Sequence, residues 1–343
     1  MTAETIAGIS TDRLTAFAAR EAATYAKARP KALKALAAGA GNFLGGVPMH
    51  WMADWPMPHL PLVAKAQGAR IEDIDGLTLD DFCLGDTGSM FGHSPAPVAK
   101  AIRHQARRGL TYMLPTEAAL EAGRLLTDRF GPFRWQIATT ATDANRFALR
   151  VARAITGKPK VLVFNGCYHG TVDDTFVSLE NGKTVNSPGL LGQVNDLTQT
   201  AVCAEFNDLA SVEAALTKGD VAAILTEPVM TNSCMVLPEA GFHDGLRQLS
   251  LKYGALLIID ETHTISPASA AIPASTRSAP TSSSSANASR VACPPPSGAS
   301  PTRPRSGTRR RMPSANPAVP AWAPPSPPTR CSSPASSPTS PRS

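Results

Sequence analysis

The sequence predicts an α/β protein whose centre is a mostly parallel β-sheet covered by helices on both faces. Two observations carry this. Short runs, VLVF at 161–164, AAIL at 222–225 and ALLIID at 255–260, are apolar without alternation, as strands buried on both faces require. From Ile137 to Thr264 strand, loop and helix follow one another in repetition, the grammar of βαβ units.

Ahead of that region, the Ala-rich stretch from Ser10 to about Ala38 predicts two helices separated at Pro30, with Ser10 or Thr11 as cap. ARIEDIDGLTLDDFCL at 69–84 alternates apolar and polar residues across an Asp-Gly pair, which predicts a hairpin. Residues 95–109 and 116–129 read as amphipathic helices. The expected organisation is an N-terminal helical segment over 1–68, a hairpin with connecting helix over 69–115, a large domain over 116–266, and a disordered tail over 267–343.

The 343 residues are two kinds of polymer, so averages mislead. Of the 33 Lys and Arg, nine are arginines after Ser266, where no acid and no lysine occurs; this leaves 24 cations against 27 carboxylates, a net −3, in residues 1–266. The tail, rich in Pro, Ser, Ala and Arg, offers no core, and such composition reads as a linker or as an arginine-rich nucleic-acid tail. No run of about 18 apolar residues marks a membrane span. The N-terminus lacks the basic start and apolar stretch of a secretory signal, which makes the cytoplasm the expected location. Six cysteines lie scattered without CxxC spacing, against a metal site or a disulfide framework.

In an open α/β sheet, ligands meet the carboxyl ends of strands, and four places qualify. Thr139 to Asn145 opens a helix with small hydroxyl residues, suited to a phosphate at the helix N-terminus and equally to simple capping. Gly166-Cys167-Tyr168-His169-Gly170 sets an aromatic ring and an imidazole on a turn, or is a plain surface loop. Thr226-Glu227-Pro228 ends a strand with a carboxylate, or with a solvated turn. Asp260, ahead of Glu261, Thr262 and His263, ends the run ALLII. There it can pair with a protonated heterocyclic nitrogen and keep a cofactor electron-poor. The rival for Asp260 is a magnesium-binding acid of a nucleotidase, but the one phosphate-loop candidate, Gly182-Lys183-Thr184, has Val177 where the motif needs its first glycine.

Taken in order, TTATDANRFALRVAR, NGCYHG, LTEPVM and GALLIIDETHT resemble the corresponding segments of class III pyridoxal-phosphate-dependent aminotransferases of the glutamate-1-semialdehyde aminomutase-like group. GSMFGHSPAPVAKAI adds to the likeness, which runs from about residue 40 to Ser266. The resemblance implies fold type I, with the large domain incomplete and the C-terminal small domain missing. It implies pyridoxal 5′-phosphate as cofactor, a small-molecule amino donor and carbonyl acceptor, and a homodimer. By position, Ala141 and Thr142 would hold the phosphate and Tyr168 would stack on the ring, with His169 beside it. Glu227 would stand at the strand end, Asp260 would bind the ring nitrogen and His263 would lie near the phenolic oxygen. The family's Ser-Gly-Thr is here Thr140-Ala141-Thr142, and no arginine follows Gly45-Gly46-Val47, where aminomutase-type members bind a substrate carboxylate.

The family also ties its cofactor to a lysine beyond the Asp-Glu-x-x-Thr segment, and Lys252 is the last lysine of this chain. The chain as written is therefore expected to be inactive. A one-base shift in reading frame accounts for this. If each codon takes the third base of its predecessor and its own first two, residues 270–274 can read Gly-Gly-Tyr-Thr-Arg and Thr281-Ser282 can read Asp-Phe. Ala286-Asn287 can read Gly-Lys, and Arg290-Val291-Ala292 can read Ala-Gly-Gly. The missing lysine falls at the Asn287 codon. The other readings are a non-catalytic cofactor-pocket protein whose arginine tail engages nucleic acid and, behind it, the nucleotidase.

Overall fold

The computed structural model describes residues 5, 6, 8–39 and 41–265, together with the backbone of two later strands, Ser282–Ser285 and Ala288–Val291. All of these belong to one unit, Met1–Pro294; the second unit, Pro295–Ser343, lies outside the described residues. The expectation of disorder over 267–343 lies outside them too, apart from those two strands.

The chain opens with a two-residue antiparallel pair, β1 (Thr5–Ile6) and β2 (Ile9–Ser10), and enters α1 (Thr11–Ala28) and α2 (Pro30–Gly39). The break falls at Pro30, which occupies the first position of α2, where its missing N–H costs nothing. β3 (Val63–Gln67), β4 (Arg70–Asp73) and β5 (Thr78–Asp80) form an antiparallel sheet. The predicted Asp-Gly hairpin is β4–β5, turning through Gly76 at φ 89°; β3 was not legible, because its sequence VAKAQ is mostly exposed and carries little apolar signal.

This hairpin clasps the helices. Arg29 is buried and donates from Nε to Asp73 Oδ2 at 3.0 Å, its guanidinium lying over the Tyr25 ring at 4.0 Å. Asp73 Oδ1 also accepts the N–H of Asp75 and Leu77 at 3.0 and 2.9 Å. Asp75 in turn accepts the N–H groups of Lys31 and Ala32 at 2.8 and 2.9 Å. The turn of one element thus caps the open donors of another.

After α3 (Ala96–Ala106) and α4 (Glu117–Phe130), β6 (Arg134–Gln136) leads into α5 (Ala141–Thr156) and β7 (Lys160–Phe164). A hairpin of β8 (Val177–Glu180) and β9 (Lys183–Asn186) follows, then β10 (Ala201–Ala204), α6 (Leu209–Leu216), β11 (Val221–Thr226), α7 (Phe242–Tyr253) and β12 (Leu256–Asp260). The hairpin β8–β9 turns at Asn181-Gly182, so Lys183 begins a strand. A phosphate loop would lead into a helix at that point, and the nucleotidase candidate therefore has the wrong structural setting.

The central sheet has the order β10-β7-β11-β12-β13-β14-β6, where β13 is Ser282–Ser285 and β14 is Ala288–Val291. β10, β7, β11, β12 and β13 are parallel, and β14 runs antiparallel to both its neighbours. Sheet pairing past Ser266 departs from the expectation that strand grammar stops there. Ladder bonds are made by backbone N–H and C=O groups, which every non-proline residue carries, so a serine run can pair where apolar patterning gives no sign of a strand.

Val161, Val163, Ala223, Leu225 and Ile258 face α5 through Ala148, Leu149 and Ala152, while Leu162, Phe164, Ile224 and Leu257 face α6 and α7 through Val212, Leu216, Phe242 and Leu246. Every residue of β11 is buried, as an unbroken apolar run predicts. Among the described residues no helix is long and apolar enough to cross a membrane. Leu246 is fully buried in the second of these layers. Leu246→Ala should cost about 2–5 kcal/mol of unfolding free energy in a urea titration; a change of a few tenths would mean that α7 is not packed as described.

Candidate active site

The carboxyl ends of β7 and β12 and the first turn of α5 meet around one cavity of about 540 Å³. It is lined by Ala141 and Thr142 of α5, the Tyr168-His169-Gly170 turn, Asp260, Thr262, His263, Ile265 and a loop from the N-terminal region, Gly85 to Gly88.

Asp260 ends β12, almost wholly buried at 3% exposure. Its Oδ2 accepts hydrogen bonds from Asn145 Nδ2 and His169 Nδ1, both at 2.8 Å. Its Oδ1 accepts the N–H of Thr262 at 3.1 Å and the Thr262 hydroxyl at 2.6 Å. Burial alone would raise its pKa, but the His169, Thr262 and Asn145 donors reverse this and hold the carboxyl well below the usual range. His169 shows the converse. Burial works against its charged form, the Cys167 sulfur and the Asp260 carboxylate outweigh it, and the ring is pushed up to about 10.

Around this anion the turn is tightly built. Thr140 caps α5, its hydroxyl oxygen accepting the Asp143 N–H at 3.1 Å. The Thr142 hydroxyl oxygen accepts the Thr171 N–H at 3.1 Å. Gly170 sits between them at φ +77°, where a Cβ would fall 2.2 Å from Thr142 Oγ1 and 3.0 Å from Thr142 Cα; only glycine lets the turn lie against the helix start. Tyr168 leaves its ring 46% exposed on the cavity wall.

Six of the seven sequence-predicted residues, Ala141, Thr142, Tyr168, His169, Asp260 and His263, line this cavity. Glu227 is not among its lining residues. It is buried, and its Oε2 accepts the N–H and hydroxyl of Thr231 at 3.2 and 2.7 Å, which folds the strand end back on itself. Two features escaped sequence reasoning. Asn145 is completely buried, four residues after Ala141, and joins the His169 carbonyl to Asp260; a lone amide one turn into an otherwise apolar helix face was the available signal. The Gly85–Gly88 loop reaches the site through a 2.9 Å hydrogen bond between the Thr87 hydroxyl and His263 Nδ1, a contact across 176 positions that local pattern does not disclose. The Asn287 codon lies outside the described residues.

The donor set fits a phosphorylated pyridine. A buried carboxylate held anionic can receive a ring N–H, an exposed aromatic face can stack, and hydroxyl and backbone donors open a helix toward a phosphate. Sheet order and site together define fold type I of the pyridoxal-phosphate enzymes.

Comparison with known proteins narrows this. Residues 52–266 match the family model described as "Aminotransferase class-III". Glutamate-1-semialdehyde 2,1-aminomutase of Desulfitobacterium hafniense is 36% identical over 206 residues, 59% of this chain and 48% of that protein. A glutamate-1-semialdehyde aminomutase from Pseudomonas aeruginosa superposes with a TM-score of 0.77 at 43% identity, over 83% of this chain and 65% of that one. A lysine-to-alanine variant of the same protein, in complex with PMP, superposes equally well. An omega-transaminase from Sphaerobacter thermophilus gives a TM-score of 0.70 at 25% identity, over 81% and 68% of the two chains. The chain belongs to the class III aminotransferase family, whose members are pyridoxal-phosphate-dependent, and it spans about half the length of the curated relatives it matches.

The His169–Asp260 pair carries a pH signature. A histidine raised to about 10 stabilises the fold fully below its unfolded value and loses that contribution as pH rises toward the folded one. The depressed aspartate contributes above its unfolded value and loses it in acid. With unfolded values of about 3.9 and 6.5, the window of full contribution is about pH 4 to 6.5. Loss of stability in His169→Gln should therefore be larger at about pH 6 than at about pH 9 by urea denaturation. Equal losses would show that the ring is neutral in the fold.

Proposed function

We propose that this chain forms the cofactor pocket of an enzyme that moves an amino group between an amine or amino acid and a carbonyl compound. In the sequence as it stands it binds pyridoxal phosphate or its amine form without covalent attachment and without turnover. The observation that carries the reading is the fourfold-bonded, buried Asp260 carboxylate on the cavity.

Bound there, pyridoxal phosphate would supply an electron sink for the carbon that bears the amino group. The residues do the rest. Asp260 keeps a proton on the ring nitrogen, and Asn145, His169 and Thr262 fix the direction in which it offers its charge. Tyr168 covers one ring face. The first turn of α5, with Ala141 and Thr142, takes the phosphate, and Gly170 keeps that approach open. His263, oriented by Thr87, would lie near the phenolic oxygen of the bound group.

Proton transfer at the substrate carbon needs a basic amine, and no lysine follows Lys252. The frame-shift reading places the family's lysine at the Asn287 codon. The PMP complex of a lysine-to-alanine variant of the Pseudomonas relative supports PMP as the ligand to try here. In frame, the product acts as a homodimer in the cytoplasm.

Two measurements test this. Resequencing the codons from Thr264 to Pro294 should reveal a one-base discrepancy or a true slip. A restored base that yields no lysine at the Asn287 codon would refute the frame reading. Fluorescence titration of the full chain with PMP should show saturable binding, weakened about 30-fold in Asp260→Asn, the equivalent of roughly 2 kcal/mol for a hydrogen bond to a charged group. Absence of PMP binding would sink the cofactor assignment.

A further inference from the structure

One charged group on the cavity wall has no part in any role above. Asp86 sits on the loop between β5 and α3, its carboxylate 88% exposed; its one ion-pair partner among the described residues is His263 Nδ1, at 4.0 Å. Asp260 is buried, and four donors of the protein fix the direction of its charge, whereas the Asp86 side chain is open to solvent. The cavity thus carries two carboxylates in different surroundings, one buried and one open to solvent.

The loop that presents Asp86 is built at a cost. Leu84, Asp86 and Thr87 are left-handed at φ 52°, 54° and 69°, a conformation that non-glycine residues adopt only when their surroundings impose it. The imposition is visible. Asp81 Oδ1 accepts the N–H groups of Cys83 and Leu84, both at 2.9 Å, and Asp81 Oδ2 accepts from His93 Nε2 at 2.6 Å. The Ser89 N–H donates to the Leu84 carbonyl at 2.8 Å. Thr87 bridges to His263 across the site. The loop is held from both ends, and it brings a charged residue to the cavity lining.

We infer that Asp86 is a specificity-determining residue on the substrate side of the site, selecting amines that carry a second positive charge over those ending in a neutral or carboxylate group. The inference rests on the cofactor reading above. With the phosphate at the start of α5 and the ring nitrogen at Asp260, the wall formed by the Gly85–Gly88 loop and His263 is the part left for the substrate. A cation reaching Asp86 is attracted and a carboxylate there is repelled, with the modest strength of a solvent-exposed charge.

The test needs no lysine. Phosphopyridoxyl amines, in which the cofactor's C4′ is already joined to the amine by a reduced carbon–nitrogen bond, bind without chemistry. Three are compared by equilibrium dialysis against the full chain at low salt: the 1,4-diaminobutane, butylamine and 4-aminobutanoate derivatives, with PMP as the reference for each protein. The expected order of affinity is diamine, then butylamine, then aminobutanoate, with steps of about fivefold, the upper end for a partly exposed ion pair. The steps should shrink in salt and vanish in Asp86→Asn. Equal affinity for the three, or the same order persisting in Asp86→Asn, overturns the inference while PMP binding leaves the cofactor reading standing. Failure of PMP itself to bind overturns both.

Discussion

A carboxylate withdrawn from water must be repaid by donors, and Asp260 collects four of them from three separate parts of the chain. Asn145 comes from α5, His169 from the turn after β7, and Thr262 from the strand's own continuation. Truncating any donor would leave either the anion or the donor's own buried partner uncompensated, which is the expensive way to break a buried network. The positions of α5, of the Tyr168 turn and of the segment that carries His263 are thus coupled through one side chain. What looks like a cofactor contact is equally the point at which three elements are held in register.

A second, independent clasp fixes the N-terminal region. Arg29, Asp73 and Asp75 join the helices to the three-stranded hairpin without touching the site. The loop that follows this hairpin then supplies Gly85 to Gly88 to the cavity. The chain therefore separates duties: the helices and the three-stranded sheet make a mount, and the loop beyond it is the part that reaches the cavity. A site built on loops from a fixed scaffold can change its wall without disturbing its floor.

Much of this was legible in the sequence, for identifiable reasons. β7, β11 and β12 announced themselves because strands buried on both faces must be apolar throughout, and Asp260 stood out as a charge at the end of such a run. Pro30 and the Asp75-Gly76 turn marked their breaks because their backbone chemistry is restrictive. β3 and the β8–β9 hairpin were missed, being short and partly exposed, with no strong period. Asn145 was overlooked because amides also serve as ordinary polar residues; its meaning comes from the carboxylate 115 positions away. Glu227 entered the expected cofactor site through the family resemblance; in the fold it is buried and turned to Thr231, because the direction of a side chain leaving a strand is set by the turn that follows.

The placement of β13 and β14 has a wider consequence. Between β12 and β6 the sheet passes through SSSS and ASRV, and likeness in shape to the Pseudomonas protein covers 83% of the chain, while the family's sequence pattern ends at Ser266. Topology in that region is sustained by amide-to-carbonyl pairing, which does not depend on the side chains. The outline of a sheet can therefore continue where side-chain patterning gives no sign of a strand.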